Sequence, residues 1–274
     1  LDDERLHLAH SHVTKADRVI SLLRDSVSAG EVNGFLEGFP IRYLETHSAE
    51  EIAANCEMAH RLPQSPVQVH VRRREHSFEL TVLTADRPFL FASLTGTLAA
   101  WGMNILKADA FANSAGIVLD TFRFADLFRT LELNPPEIER LQSDVIEVLA
   151  GRVSVKTLMT GRLSPATLPR PKVPVPTQIR FDDSSSSHST LLELITQDRP
   201  GLLYRVSSVL AELGLNIEVA LIDTEGQKVI DVFYLTHQEK KLDPSLQGRA
   251  ERLLLDQLGA SATADSPPKA DLES

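Results

Sequence analysis

The sequence predicts an α+β protein made of two copies of one sandwich, each an antiparallel four-stranded sheet with two helices on one face. Three observations carry this expectation. A block around residues 80–108 recurs at a fixed offset of 112. Within each copy, strand-length apolar runs and a helical stripe follow one another in the same order. Between the copies, the stretch Arg162–Pro176 holds five prolines, too many for a helix or a central strand and suited to a semi-rigid spacer.

The repeat is gapless. Leu80, Thr84, Asp86, Arg87, Pro88, Leu90, Leu98, Ala99, Gly102, Asn104, Ile105 and Ala108 find their counterparts in Leu192, Thr196, Asp198, Arg199, Pro200, Leu202, Leu210, Ala211, Gly214, Asn216, Ile217 and Ala220.

Taken in chain order, residues 1–62 lie outside the repeat and read as helical. Val13, Val19, Ile20, Leu23 and Val27 mark one stretch and Ile52, Ala53, Cys56 and Met58 another, on either side of a loop around Gly34–Pro40. So short a segment buries little by itself, so it is expected to pack on something upstream or on the first repeat. Val67–Arg72 alternates as a leading strand, and Thr177–Phe181 holds the same place before the second copy. The first core strand is Phe78–Thr84, or Thr190–Thr196. A helix follows, with Leu90, Leu94, Leu98 and Trp101 matched by Leu202, Val206, Leu210 and Leu213 at steps of four, four and three. Pro88 and Pro200 suit a helix start, where a missing N–H loses no bond, and Gly102 and Gly214 suit a left-handed residue at its end. Strands Asn104–Ala112 and Ile117–Phe124 follow, then Asn216–Asp223 and Lys228–Leu235 in copy two, with turns at Gly116 and Gly226. A second helix closes each copy, opening near Pro136 or Pro244. Its inward residues are expected to be Ile138, Leu141, Val145 and Leu149, then Leu246, Ala250, Leu253 and Leu258.

Strand, helix, strand, strand, helix is the order of a ferredoxin-like sandwich that lacks its last strand. The tail after Leu258 offers no strand, so the leading strand is expected to take that place, antiparallel to the first core strand. The alternative is that Thr177–Phe181 is lent to the first copy. The resulting division is a helical segment at 1–62, one sandwich at 66–160, a linker at 161–176, the second sandwich at 177–259 and a disordered tail at 260–274.

Composition narrows the function. With 38 acidic against 28 basic side chains the formal charge is −10, which repels phosphate backbones and argues against nucleic acid. The single Cys56 fits a reducing compartment, no apolar run reaches bilayer length, and the acidic start Leu1-Asp2-Asp3-Glu4 is unlike a signal peptide, so a cytoplasmic setting is expected. A first residue other than Met suggests a piece of a longer reading frame. His7, His10 and His12 lack a completing carboxylate or Cys set, so no metal is assigned. The Arg72-Arg73-Arg74 run is expected to be a solvated edge device or at most a docking hint. No nucleophile, phosphate-loop or dinucleotide motif is present, and no catalytic residue is assigned.

What the motif can do is bind an anion. The first amides of a helix lack internal partners and carry the positive end of its dipole, so a carboxylate can dock there. In copy two the expected donors are Gly201, Leu202 and Leu203 behind Asp198 and Pro200. Asn216, next to Ile217 on the adjacent strand, offers a donor and an acceptor to an amino-acid or carboxamide group. Copy one keeps Asp86, Leu90, Asn104 and Ile105 but carries Phe89 in place of Gly201. That ring could fill the site, which ranks the second turn above the first. The bland alternative makes Asp198 a helix cap, Arg199 a surface charge and Asn216 a turn residue.

LTADRPFLFASLTGTLAAWGMNI and ITQDRPGLLYRVSSVLAELGLNI resemble ACT domains. The wider pattern, roughly residues 34–258 and including FLEGFPIRYLETHSAEEIA, resembles the C-terminal region of the bacterial PII uridylyltransferase/uridylyl-removing enzymes. That resemblance implies a glutamine-sensing ACT pair at the end of an enzyme that adds UMP to a PII signalling protein and removes it again. The motifs of the transferase and the HD phosphohydrolase are missing from this sequence, and magnesium would serve only those missing domains; this chain is expected to need no cofactor. A freestanding ACT-repeat protein is the alternative.

Overall fold

The computed structural model describes residues 15–23, 26–162, 175–199, 201–225 and 228–264. Val13, the three N-terminal histidines, Pro200, Gly226, most of the proline-rich spacer and residues 265–274 lie outside them.

Four helices come first: α1 (residues 15–22), α2 (Ala29–Leu36), α3 (Ile41–Thr46) and α4 (Ala49–His60). Two of them open on capping boxes. The Glu31 N–H donates to the Ser28 hydroxyl at 3.3 Å and the Ser28 N–H donates back to the Glu31 carboxylate at 2.9 Å; Ser48 and Glu51 repeat the exchange at 3.1 and 3.0 Å. Helix α2 absorbs Gly34, so the expected loop shrinks to residues 37–40, and α3 follows it.

The first sandwich holds β1 (Val67–Arg73), β2 (Phe78–Ala85), α5 (Leu90–Ala100), β3 (Met103–Ala112), β4 (Ile117–Asp126), α6 (Thr130–Leu133) and α7 (Pro136–Leu149). After α8 (Val155–Arg162) comes the second, with β5 (Gln178–Asp182), β6 (Thr190–Gln197), α9 (Leu202–Glu212), β7 (Asn216–Glu225), β8 (Lys228–Thr236) and α10 (Pro244–Ala264). Strand orders are β1-β2-β4-β3 and β5-β6-β8-β7, all antiparallel. The leading strand therefore does replace the last one in each copy, and β5 stays with its own sheet instead of crossing to the first. Each sheet carries a bulge at the same place, between Ile105 and Lys107 and between Ile217 and Val219.

Two helix details differ from the sequence reading. Helix α10 buries Leu246, Ala250, Leu254 and Leu258, a strict step of four, and leaves Leu253 at 37% exposure on its outer side. It also runs to Ala264, because Gly259 is followed by small helix-tolerant residues and the first proline comes only at Pro267. Neither α6 nor α8 was foreseen.

The two faces of the first sheet are covered differently. On one, Leu80, Val82, Phe122 and Phe124 meet α5 and α7. On the other, Leu83, Phe111 and Leu119 pack under Val32, Phe35, Tyr43 and Ile52, so the described part of the helical segment buries its apolar side on the first sandwich. Tyr43 lies within aromatic-contact distance of Phe39 and Phe111, at 4.4 and 5.5 Å between ring centroids.

The sandwiches stand side by side. Helix α5 packs along α9 and β3 along β7, and a single apolar core runs through both units. Thr95 Oγ1 lies 3.1 Å from Ser207 Oγ, and these two residues are 112 apart, the repeat offset. A residue meets its own counterpart only on a two-fold axis, so the units form an internal pseudo-dimer. Gly96 sits beside this axis, where α5 comes close enough to Tyr204 and Val155 that a Cβ on it would overlap both.

Candidate functional site

The helix-opening turns of both copies have one backbone shape. The residue before α5 is Phe89 at φ 62, ψ 14, and the residue before α9 is Gly201 at φ 69, ψ 13. Glycine adopts this left-handed form freely, whereas for Phe89 it carries a penalty of about 1–2 kcal/mol. Phe89 is 44% exposed and stands at the wall of its cleft instead of plugging it. Neither helix has a side-chain cap, so Asp198 does not cap α9. Its carboxyl is half-buried and pushed upward by that burial, against the pull of the Arg199 amide. The Leu202 N–H, expected to face a ligand, donates to Arg199 O at 3.0 Å, and Leu90 does the same to Arg87 O at 3.3 Å. In α5 the amides left without a backbone carbonyl are those of Phe91 and Ala92. Arg87 reaches back to Leu149 O at the end of α7 and holds the turn there.

The side-by-side packing rearranges the expected sites. Asn104 and Ile105 open β3 of the first unit, yet they line a cleft with Asp198, Gly201, Leu202 and Leu203 of the second. Asn216 and Ile217 of the second unit line the other cleft, with Asp86, Phe89 and Leu90 of the first. Every described residue named from the sequence thus lines one of the two clefts, but each turn is served by the strand of the opposite unit and not by its own. The physical reason is the pseudo-two-fold: with α5 and α9 antiparallel, the N-terminus of one helix lies over the strand that follows the other.

The clefts differ in size. The one at Gly201 encloses about 50 Å³, room for a water or two, while the one at Phe89 encloses about 690 Å³, within the range of small-molecule sites. The roomy cleft therefore lies at the first turn, the reverse of the ranking that the Phe89-for-Gly201 exchange suggested.

Several groups at these clefts were not singled out from the sequence. Asp120 on β4 is 2% exposed and lines the larger cleft, and its Oδ1 has no hydrogen-bond partner. Burial, aided by the charge of Asp86, pushes its carboxyl up to about 8. Asp231 holds the matching position, opposite Leu194 as Asp120 is opposite Val82, and lines the smaller cleft. The available signal was an acid inside an apolar strand run, IVLDTF and KVIDVF, at matched places in both copies. Glu218, in the β7 bulge, also lines the larger cleft; it accepts from Ser189 Oγ at 2.6 Å and from Thr236 Oγ1 at 3.2 Å and lies 3.3 Å from His188 Nε2.

The larger cleft also touches the helical segment through Gly38 and Pro40. Gly38 has φ +86 and a Cβ there would overlap Ser114. The turn after β3 joins three parts at once: Ser114 N–H donates to Glu37 O at 2.9 Å, Asn113 Nδ2 donates to Phe35 O at 2.9 Å, and Gly116 O accepts from Asp86 N–H at 2.9 Å. The Arg72–Arg74 run is less free than expected. Arg72 and Arg74 both pair with Glu51 and Glu79, at 2.6–3.5 Å, and Arg73 lies 3.4 Å from Glu132. Among the described residues there is no cluster of three metal-ligating side chains, and no helix is long and apolar enough to cross a membrane.

Two like sandwiches with reciprocal clefts define the class, a tandem of ACT-type domains, and the ACT domain family matches residues 190–246. The chain is, further, homologous to a segment of the bifunctional uridylyltransferase/uridylyl-removing enzymes. It is 35% identical over 192 residues to that enzyme from Gluconobacter oxydans and 31% identical over 189 residues to the one from Nitrobacter winogradskyi, covering 69% and 68% of this chain. It spans about 20% of the length of either relative. An aspartate kinase from Synechocystis superposes loosely, with a TM-score of 0.37 at 14% identity over 70% of this chain and 28% of that one.

Proposed function

We propose that this chain is the amino-acid-sensing part of a uridylyltransferase/uridylyl-removing enzyme and that the amino acid is glutamine. The reciprocal clefts carry the reading. An α-carboxylate at the helix start of one unit, with the carboxamide on the asparagine of the other, binds only when both units stand side by side. Ligand binding therefore stabilises that arrangement by its preference for it. The turn Asn113–Gly116 then offers a route outward, since it holds both Asp86 and the Glu37–Pro40 corner of the helical segment. Kinship with the bifunctional enzymes supports a PII protein as the partner of the whole enzyme, a cytoplasmic setting and a role in nitrogen assimilation, with magnesium confined to the catalytic domains.

Calorimetric titration of L-glutamine into the chain tests this. Asn216→Ala is expected to weaken the event at the Phe89 turn, whereas Gly201→Phe, in a cleft of only about 50 Å³, is expected to leave it within about threefold. A chain that takes up no amino acid overturns the reading. If Gly201→Phe and Asn216→Ala remove one and the same event, the clefts are not shared between units.

A further inference from the structure

The larger cleft is lined by groups of opposite character. The Phe91 and Ala92 amides lie at the positive end of α5. Asp86, on the turn before α5, and Asp120, on β4, supply carboxyl groups. Asp120 carries the argument, because a carboxylate so deeply buried with an oxygen unused is expensive to keep unless something comes to meet it. Packing does not explain it: its neighbours across the sheet are Val82 and Ala110, and an apolar side chain would serve that face as well. An acid recurs at the matching position, Asp231, in the wall of the smaller cleft. The same residue type thus recurs at matching depth in the walls of both clefts.

Resting on the reading above, we propose that Asp120 receives the α-ammonium group of the ligand in the larger cleft, so that this site selects 2-amino acids over compounds with the same carboxylate and side chain but no amine. The α-carboxylate then takes the helix amides and the ammonium takes Asp120 Oδ1, which orients the ligand's side chain toward Asn216.

The proton balance follows from the empty cleft. Asp120 is held protonated there by burial and by Asp86. To accept an ammonium it must ionise, so its proton leaves to solvent as the ligand enters. The other charged groups facing this position are few. Asp86 and Arg87 lie on the turn, with Arg87 committed to Leu149 O, and His188 and Glu218 stand across the cleft, paired with each other. Helix α5 has no ionisable side chain. Asp109 of β3 points to the opposite face, where it meets Arg42.

The test uses the chain as it stands, with L-glutamine and with glutaramate, which keeps the carboxylate and the carboxamide but lacks the α-amine. Wild type is expected to prefer glutamine by between about 10- and 100-fold, the value of one charge-assisted hydrogen bond. Asp120→Asn is expected to erase that preference by weakening glutamine while leaving glutaramate within about threefold, a change too small to reflect a lost bond. Equal affinity of Asp120→Asn and wild type for glutamine overturns the proposal, as does equal loss of both compounds. A measurement on wild type alone stands apart from any folding defect. Titrations in phosphate and in Tris buffer should show net proton release on glutamine binding at pH 7, and no release overturns the proposal. If wild type binds glutamine with neither preference nor proton release, only this inference falls. If it binds no amino acid at all, the proposed function falls with it.

Discussion

Gly96→Ala probes the contact on which both clefts depend. A methyl at Gly96 would lie 2.5 Å from Val155 Cγ1 and 2.8 Å from Tyr204 Cδ2, distances that side chains do not sustain. Two terms of opposite sign meet here. Replacing a mid-helix glycine by alanine gains about 0.5–1 kcal/mol of helix stability. Overpacking a tight contact loses about 1–3 kcal/mol. Neither Val155 Cγ1 nor the Tyr204 ring edge is the free end of a long chain, so the loss wins, with a net destabilisation of about 0–2.5 kcal/mol. The strain is relieved by moving Tyr204 and with it α9, whose Ser207 and Ala211 line the larger cleft. The expected result is a melting temperature lower by up to about 10 °C, taking about 2–4 °C per kcal/mol, with weaker glutamine binding. Calorimetry and a thermal melt on the same preparations read both. A variant that melts higher than wild type and binds glutamine fully would show that α5 and α9 do not meet at Gly96, and the composite clefts would go with that contact.

Three further outcomes are expected. Tyr43→Phe removes the hydroxyl that accepts from Asn55 Nδ2 at 3.0 Å in a buried site, so urea unfolding should show a loss of about 1–3 kcal/mol, and an unchanged midpoint would mean that Asn55 has another partner. Phe89→Gly relieves a left-handed non-glycine residue but loosens the unfolded chain, so stability should change by less than about 1 kcal/mol; a large loss would mean that the ring is a core element after all. For Asp120 the unfolded chain releases its proton near pH 4 and the folded chain only near 8, so its contribution to stability is complete below pH 4 and is lost as pH rises through 8. Each pH unit in that window removes at most about 1.4 kcal/mol, and Asp120→Asn should flatten the fall of wild-type stability between pH 5 and 8. Parallel pH profiles for the two proteins would refute the assignment.

What the sequence by itself determined is local and periodic. The 112-residue offset, the steps of four and three along Leu90–Trp101 and the alternation of Val67–Arg72 are set by helix and strand geometry, so they are readable in one dimension. The replacement of the last strand by a leading one was legible too, because a hairpin leaves a strand only one neighbour to pair with. The choice of Leu254 over Leu253 was harder, since two adjacent leucines satisfy the same stripe until α10 is docked. What only the tertiary structure decided is which strand faces which turn. Asn216 is near Gly201 in sequence and Asn104 is not, yet a two-fold brings distant segments together and separates near ones. Tertiary packing also buried the acids of β4 and β8 against the clefts and brought Gly38 of the helical segment to the wall of the cleft that Asp86 lines. Sequence spacing cannot encode such contacts, because they follow from how two finished surfaces fit and not from the period of either one.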